Sequence, residues 1–455
     1  MTTDSTVLTP AQAAQTSQAE VLPESSSPKV GFAVKRPVLW VPTLYFAEGL
    51  PQYLVSVFAL YLFQALGVSN PQITAALGTI GFVWAVKPLW SPFLEAVPSQ
   101  KLVVVITQIV GGVAIGGLAL CLNTSSFFAL SVAVLTVIAI TSATHDIAAD
   151  GLYIASLSKR LQTVYSGWRN CAYNVAKVAL TGGLLKMIAY WQRDGLAGTS
   201  AWQAGLFVVA LTMFALGFYH LWSLPKAPSA SHENVGQTLI DVIKTFFQKP
   251  GIWMAIAFIL LFRLAEGQIT TIGPLFLTAA RATGGLGLPL DDQGTIYGVY
   301  GTITFLVGGV LGAYFASWIG LKRSLIILIL AMNLPNATYC YLSAALPADL
   351  LAIKAAVCVE MFGYGFGFTA LMLYMMLVVA PGKYPTAHYA LATGFMALGY
   401  NLAKFISGFI QDALGYQNFF IWVLLCTVPI VLFAMFLPIR VTADKQILSL
   451  EDAAQ

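Results

Sequence analysis

The sequence predicts an all-α membrane protein with twelve transmembrane helices in two six-helix halves and both termini in the cytoplasm. Three observations support this fold class. Of the 455 residues, 58% are hydrophobic and only 9% are charged, whereas soluble domains have about 25% charged residues. Twelve apolar stretches reach the length of about 20 residues that a bilayer requires. Two short motifs also occur once in each half.

The apolar stretches set the helix limits. In the first half (37–223) we expect helices at 37–66, 71–93, 101–122, 126–156, 161–190 and 202–223. In the second half (250–439) we expect them at 250–280, 293–319, 322–344, 348–378, 384–410 and 416–439. The other segments are a disordered N-terminal tail (1–36), a cytoplasmic linker with an amphipathic helix (224–249) and a C-terminal tail (440–455).

The basic residues predict the orientation. With the N-terminus inside, the outer segments contain only Arg193 and Arg281. The inner segments contain Lys29, Lys35, Arg36, Lys101, Lys159, Arg160, Lys226, Lys244, Lys249, Lys322, Arg323, Lys383, Arg440 and Lys445. This asymmetry follows the positive-inside rule, so both termini are expected in the cytoplasm.

The repeated motifs predict a duplication. Glu48-Gly49 in helix one returns 218 positions later as Glu266-Gly267. The pattern Tyr-Asn-x-Ala-Lys at 173–177 in helix five returns 227 positions later at 400–404 in helix eleven. Parallel duplications of this kind place a binding site between the two halves.

Several classes of function are not expected. The nucleotide-binding pattern G-x-x-x-x-G-K-[ST] and the hydrolase patterns G-x-S-x-G and H-E-x-x-H are missing from the sequence. The five cysteines are scattered through apolar runs, without metal or disulfide spacing. We therefore expect no enzyme, no cofactor and no metal. The net charge of +4 is small and suggests no nucleic-acid partner, and we expect a monomer in the lipid bilayer.

Helix four contains the most polar intramembrane segment. Asp146 and Asp150 are four residues apart and share a helix face. At 1.5 Å per residue, Asp146 lies about 15 Å, and Arg169 of helix five about 12 Å, from the inner ends of their helices. We therefore expect an Asp146–Arg169 ion pair that faces the cavity and is controlled by a proton or by the substrate, because intramembrane charges usually face a pathway. The alternative is a static salt bridge. Asp150 lies at about 9 Å, near the depth of Lys87, and both are expected at a cytoplasmic gate.

The other embedded acidic groups are candidates for proton coupling. Glu48 lies about 16 Å into helix one, where a charge costs about 2.5 kcal/mol or more. It takes up protons there, or it braces the helix break at Pro51 through a backbone hydrogen bond. Glu266 is its second-half equivalent, and His145, which titrates near neutral pH, is a candidate relay.

The remaining polar residues suggest a solute site. Lys177 and Lys404 would suit an anionic solute, unless their side chains extend to the outer interface. Asn174 and Asn401 can bond a polar solute, and tyrosine rings can stack on one. The predicted substrate-binding residues are Tyr45, Arg169, Tyr173, Asn174, Lys177, Glu360, Asn401 and Lys404.

Three segments resemble a known family. Residues 45–51 (YFAEGLP), 86–95 (VKPLWSPFLE) and 143–151 (ATHDIAADG) are similar to AmpG-type muropeptide permeases. This branch of the major facilitator superfamily also includes acetyl-CoA transporters and some siderophore importers. The family pattern usually has Gln-Asp in place of His145-Asp146. It usually has Asp-Arg in place of Glu95-Ala96, a difference that concerns the inner gate and makes Glu95 a gate candidate.

The resemblance implies a proton-driven permease of the bacterial inner membrane that imports anhydro-muropeptides for cell-wall recycling. We therefore expect a proton-coupled secondary transporter that imports an amino-sugar or anhydro-muropeptide solute by alternating access. One alternative is an importer of a siderophore or another bulky organic anion. Another is a membrane receptor without flux, which would lack alternating access.

Overall fold

The computed structural model describes residues 36–95, 97–196, 198–226 and 235–437, and no β-strand occurs among them. Both predicted tails lie outside these residues, apart from Arg36. Nine helices in the described ranges are long and apolar enough to cross a membrane. Counting Pro385–Met435 as two, because it breaks at Gly415 (φ 70°, ψ 167°), and adding two further helices gives the predicted twelve.

The two further helices do not meet the criteria of length and apolarity, for different reasons. Asn70–Val86 has 17 residues, one fewer than the length required. The helix at 159–193 contains six lysines and arginines, which lower its apolarity. Both are part of the bundle, since the former packs along 385–414 and the latter along the first helix.

We number these helices in chain order. In the first half they are α1 Pro37–Ala65, α2 Asn70–Val86, α3 Gln100–Cys121, α4 Phe127–Ser156, α5 159–193 and α6 Ser200–Ser223. In the second half they are α7 Ile252–Thr278, α8 Leu290–Ile319, α9 Leu321–Ala345, α10 Leu350–Val379, α11 385–414 and α12 416–435. The end of the bundle at which α1 begins is called the near end, and the opposite end the far end.

Polar caps begin several helices where the sequence changes from loop to apolar run. Ser69 and Gln72 form a capping box at α2. Ser99, Ser158 and Asp349 accept hydrogen bonds from backbone N–H groups in the first turns of α3, α5 and α10.

The largest difference from expectation is α2, which ends at Val86 rather than at residue 93. A 3₁₀ turn at Lys87–Leu89 follows it, because Pro88 has no N–H for a helical bond.

Proline also changes the geometry of α1. Pro51 lies within this helix, and the segment Leu54–Phe58 that follows has π-helical hydrogen bonding. A proline removes one helical donor and crowds the preceding turn, so the backbone readjusts nearby. The readjusted segment contains Ser56, whose carbonyl faces the second half of the protein.

The two halves contact each other closely at the far end. Arg193 of α5 forms an ion pair with Asp291 of α8 at 3.0 Å. The amide of Gln293 donates to the hydroxyl of Tyr61 in α1 at 2.7 Å, and both groups are buried. Polar contacts of this kind hold the two halves together at this end.

Close backbone packing closes the far end further. The π-helical segment Ala179–Leu184 of α5 lies against the π-helical segment Gly294–Gly301 of α8. A Cβ atom on Gly298 would lie 2.7 Å from the backbone nitrogen of Gly182. Only a residue without a side chain fits there, so the two backbones meet without intervening side chains.

The linker contains the helix Val235–Phe247, within the run where an amphipathic helix is expected. Thr245 of this helix bonds His388 of α11 at 3.1 Å. Lys249, just beyond it, donates to the carbonyls of Val379, Ala380 and Pro381 at the end of α10. These bonds attach the linker to the near end of the second half.

Candidate functional site

Three carboxylates meet inside the first half of the protein, on the side of the near end. Glu48 of α1 and Asp146 and Asp150 of α4 each have an oxygen within 4.8 Å of the other two. We call this group the carboxylate cluster. Asp146 and Asp150 come together because they are one helical turn apart, and α1 lies beside α4. The cluster brings together residues that the sequence assigns to proton coupling and to the gate.

Two basic residues bind the cluster, in a different pairing from the predicted one. The ammonium of Lys87 contacts Asp146, and the guanidinium of Arg169 lies 2.7 Å from Asp150. The expected Asp146–Arg169 pair is therefore wrong. The depth estimate located the Cα atoms only, whereas the long side chains of lysine and arginine reach across a helical turn.

Tyr45 belongs to the same group rather than to a solute cavity. Its hydroxyl donates to Asp150 at 2.7 Å. The guanidinium of Arg169 lies over the rings of Tyr45 and Tyr153, at 4.3 and 4.9 Å from their centroids. Stacking and ion pairing together hold Arg169 in place. The predicted substrate-binding residues Tyr45 and Arg169 thus lie in the cluster.

Glu48 is the carboxylate of the cluster without a basic partner. Its side chain is only 8% exposed, and its Oε2 atom has no hydrogen-bond partner. With all groups ionised, three carboxylates face two cations, so the cluster has one excess negative charge. A proton on Glu48 would neutralise it. The unpartnered oxygen does not fit a brace at the Pro51 break.

Metal binding does not fit the cluster well. Three carboxylates are a donor set that hard cations accept. However, Lys87 and Arg169 already bind Asp146 and Asp150. The cations bound to the carboxylate cluster are therefore the side chains of Lys87 and Arg169.

His145 lies apart from the cluster in its contacts. Its Nε2 atom is 2.9 Å from the amide nitrogen of Gln108 in α3, and the Gln108 oxygen is 2.9 Å from His220 in α6. These three side chains are at most 2% exposed. Consecutive residues of a helix point about 100° apart, so His145 bonds to α3 while Asp146 bonds to Lys87. Among the described residues, no hydrogen bond links His145 to the carboxylates, so the structure shows no direct proton path for the predicted relay.

The gate candidates lie at the near end. Lys87 is in the 3₁₀ turn after α2, and Glu95 ends the short helix Ser91–Glu95. The side chain of Glu95 is outside the described part of the structure.

A second site lies between the halves. This central cavity has a volume of about 280 Å³ and is lined by side chains of α1, α2, α5, α7, α8, α10 and α11. Four predicted residues line it, namely Asn174, Lys177, Asn401 and Lys404. Sequence reasoning missed Gln52, Trp84, Thr270, Tyr297 and Tyr364, which also line it. Polar and aromatic residues inside apolar helices are the signal that could have found them.

The cavity contains three basic side chains with different partners. Arg263 forms the expected pair with Glu266 and stacks on Tyr400, 4.7 Å from the ring centroid. Lys177 lies 5.8 Å from the centroid of Tyr297, and Glu360 is the carboxylate that acts on it electrostatically.

Lys404 is the third cation. It is 1% exposed and donates to the backbone carbonyl of Ser56 at 2.9 Å. Lys177 and Lys404 both line the cavity rather than the outer interface, so the snorkelling alternative is wrong. With all groups ionised, three cations (Arg263, Lys177 and Lys404) lie near two carboxylates (Glu266 and Glu360). The cavity and its surroundings therefore have one excess positive charge.

Two other predicted residues lie beside the cavity rather than in its lining. The ring of Tyr173 packs on Tyr53, with centroids 5.0 Å apart. Glu360 is 2% exposed, and its Oε2 atom has no hydrogen-bond partner.

The repeated motifs pack on each other in both halves. A Cβ atom on Gly49 would lie 2.8 Å from both the carbonyl oxygen of Tyr173 and the Cβ atom of Ala176. On Gly267 it would lie 2.6 Å from the carbonyl oxygen of Tyr400 and 2.7 Å from the Cβ atom of Ala403. The Glu-Gly motif thus lies against the Tyr-Asn-x-Ala-Lys motif twice, as a duplication requires.

Known proteins are similar to this chain in sequence or in fold. A family model described as Major Facilitator Superfamily matches residues 43–408. A putative transporter AmpG 4 of Rickettsia conorii is 23% identical over 323 residues, which cover 70% of this chain and 73% of that protein. The anhydromuropeptide permease of Escherichia coli is 22% identical over 392 residues, with 85% and 76% covered.

A solved structure gives the same fold. A bacterial homologue of the human lysosomal transporter Spinster superposes with a TM-score of 0.72 at 12% identity, covering 92% of this chain and 98% of that one. At this identity the likeness concerns the fold alone. The two relatives and the fold neighbour described above are transporters, which agrees with the expectation of a transporter rather than an enzyme.

Proposed function

Because the chain belongs to the major facilitator superfamily and is a multi-pass membrane transporter of small molecules, we propose that it couples solute import to protons. The solute class is an amino sugar or anhydro-muropeptide. The membrane is the bacterial inner membrane, with the near end in the cytoplasm, and the functional unit is a monomer.

The observation that carries this proposal is the combination of two separate sites. The central cavity offers amide, tyrosine and lysine groups from both halves to a polar solute. The carboxylate cluster offers Glu48, a nearly buried acid without a basic partner. A carboxylate in that position takes up a proton when it loses contact with water, because burial disfavours its charged form.

The ion pairs explain how protonation would reach the rest of the protein. When Glu48 is ionised, it competes with Asp146 and Asp150 for the charge of Lys87 and Arg169. A proton on Glu48 leaves each aspartate with one cation and removes the excess charge. This change stabilises one arrangement of α1, α4 and α5 over another, which is the requirement for coupling to alternating access.

The amino-sugar assignment is supported by the matched relatives, among them a protein named anhydromuropeptide permease. The polar and aromatic lining is of the kind that binds sugars through hydrogen bonds and ring stacking. The excess positive charge of the cavity favours a second candidate, a siderophore or another bulky organic anion, to a similar degree.

The test is uptake into proteoliposomes with the pH lower on the far side. We expect accumulation of labelled anhydro-muropeptide above its external concentration, and loss of accumulation when a protonophore removes the gradient. A parallel assay with a labelled catecholate siderophore distinguishes the two solutes. Binding of either solute without any flux would favour the receptor alternative and refute the transport proposal.

A further inference from the structure

Lys404 is a buried ammonium without a carboxylate partner. Its side chain is 1% exposed, and its hydrogen bond is to the carbonyl oxygen of Ser56 at 2.9 Å. None of the ion pairs among the described residues includes it. Burying a charge is costly unless an opposite charge compensates it, and a single neutral carbonyl compensates it poorly. Among the described residues, the charge of Lys404 therefore has no compensating acid and is available to an anion that enters the cavity.

The bond from Lys404 to Ser56 crosses the two halves of the protein. Lys404 is in α11, and Ser56 is in the π-helical segment of α1. One turn earlier on α11, the amide of Asn401 donates to the carbonyl of Gly81 in α2 at 3.1 Å. The second-half copy of the Tyr-Asn-x-Ala-Lys motif thus ties the halves together twice.

The first-half copy makes no equivalent bond through its asparagine. Asn174 donates to the carbonyl of Asn170 in its own helix at 2.9 Å. Lys177 faces the rings of Tyr297 and Phe305 at 5.8 Å and has Glu360 as a neighbouring carboxylate. The two copies therefore differ in their contacts, and of the two lysines Lys404 is the one with a hydrogen bond across the two halves.

We infer that Lys404 binds an anionic group of the solute, a carboxylate or a phosphate, and that this binding releases the bond to Ser56. The inference rests on the proposed function and specifies its solute class. A hydrogen bond between two charged groups is stronger than one to a neutral carbonyl. An anion in the central cavity therefore takes the ammonium from Ser56, and one of the two ties between α11 and the first half is lost. A solute can shift a conformational equilibrium only through such a difference in contacts.

The experiment compares two sugars that differ by a 3-O-lactyl group, which carries a carboxylate. N-acetylmuramic acid has a lactyl carboxylate that N-acetylglucosamine lacks. We expect the purified full-length protein to bind the acid about tenfold more tightly than the neutral sugar, a difference of about 1.4 kcal/mol. Lys404→Gln should remove this preference without weakening binding of the neutral sugar, and Lys404→Arg should retain part of it. Lys186→Gln, which changes an exposed lysine of α5, should leave both affinities unchanged.

The tie itself is tested by hydrogen–deuterium exchange of the peptide that contains Ser56. In the wild type, N-acetylmuramic acid should raise exchange in this peptide and N-acetylglucosamine should not. Lys404→Gln should show raised exchange without any ligand and no further rise with the acid. Unchanged exchange in Lys404→Gln would overturn the inference, because the tie would then not depend on Lys404.

A third probe separates this inference from the amino-sugar proposal. If 2,3-dihydroxybenzoate binds through Lys404 while neither sugar binds, the anion site stands and the amino-sugar assignment fails. If both sugars bind equally in the wild type and in Lys404→Gln, the amino-sugar assignment stands and the anion site is refuted.

Discussion

Gly49 lies directly against the backbone of Tyr173, with room for no side chain. A Cβ atom on Gly49 would be 2.8 Å from the Tyr173 carbonyl oxygen. This contact joins α1, which carries Glu48, to α5, which carries Arg169 and Lys177. It therefore limits how far apart α1 and α5 lie beside the carboxylate cluster.

We expect Gly49→Ala to destabilise the protein by about 1–3 kcal/mol, the usual cost of overpacking. Gly267→Ala should cost a similar amount, because Gly267 has the equivalent contact with Tyr400. The measurement is thermal unfolding in detergent. Gly167→Ala in α5 is the control, since its Cβ atom would meet nothing within 4 Å. An unfolding temperature of Gly49→Ala equal to that of the control would contradict the prediction.

Glu48→Gln should abolish solute accumulation driven by a pH gradient while retaining solute exchange. The amide mimics a protonated carboxyl group that cannot release its proton. The measurement compares net uptake with counterflow in proteoliposomes. The matched control is Asp412→Asn, which removes an exposed carboxylate of α11 and should leave both modes intact. Gradient-driven accumulation by Glu48→Gln would show that another group carries the proton.

Lys87 and Asp146 should show a coupling energy of about 0.5–3 kcal/mol in a double-mutant cycle, as residues in direct contact do. The cycle uses Lys87→Met and Asp146→Asn, with unfolding free energy as the readout. The same cycle between Arg169 and Asp146 should give a smaller value, because Arg169 binds Asp150 instead. A larger coupling in the second cycle would restore the pairing expected from the sequence.

Gly298→Ala should favour opening of the far end. Its new Cβ atom would lie 2.7 Å from the backbone nitrogen of Gly182 in the closed state. A penalty of about 1–2 kcal/mol would change the ratio of closed to open molecules roughly 5- to 30-fold. The readout is maleimide labelling of a cysteine at Ile296, which is 2% exposed, in a cysteine-free background. Gly117→Ala, with nothing within 4 Å, should not change the labelling rate.

The fold was predictable because the bilayer imposes simple requirements on a sequence. Apolar length located the helices, and the Glu-Gly and Tyr-Asn-x-Ala-Lys repeats revealed the duplication that the packing of Gly49 and Gly267 confirms. Helix α2 ends at Val86, before the predicted residue 93, because Lys87-Pro88 starts a 3₁₀ turn. That boundary depends on local backbone bonding rather than on hydrophobicity.

The contacts within the sites were less predictable. A rise of about 1.5 Å per residue gives the depth of a Cα atom but not the direction or reach of its side chain. For this reason the sequence predicts a pair of Asp146 with Arg169 rather than with Lys87, and it gives no sign that His145 bonds to Gln108. The bond from Lys404 to Ser56 required knowing that α11 lies beside α1, which depends on tertiary packing.

The opposite charges of the two sites have a consequence for the response to membrane voltage. With all their groups ionised, the carboxylate cluster has one excess negative charge and the central cavity one excess positive charge, so the charges of the two sites cancel in the empty carrier. One proton on Glu48 and one monoanion at Lys404 leave the summed charge of the two sites unchanged. A net charge crossing the membrane would gain or lose about 2.3 kcal/mol per 100 mV. We therefore expect uptake in valinomycin-clamped proteoliposomes to follow the pH gradient and to be insensitive to the potassium diffusion potential. Voltage-driven accumulation at equal pH would instead reveal an additional translocated charge.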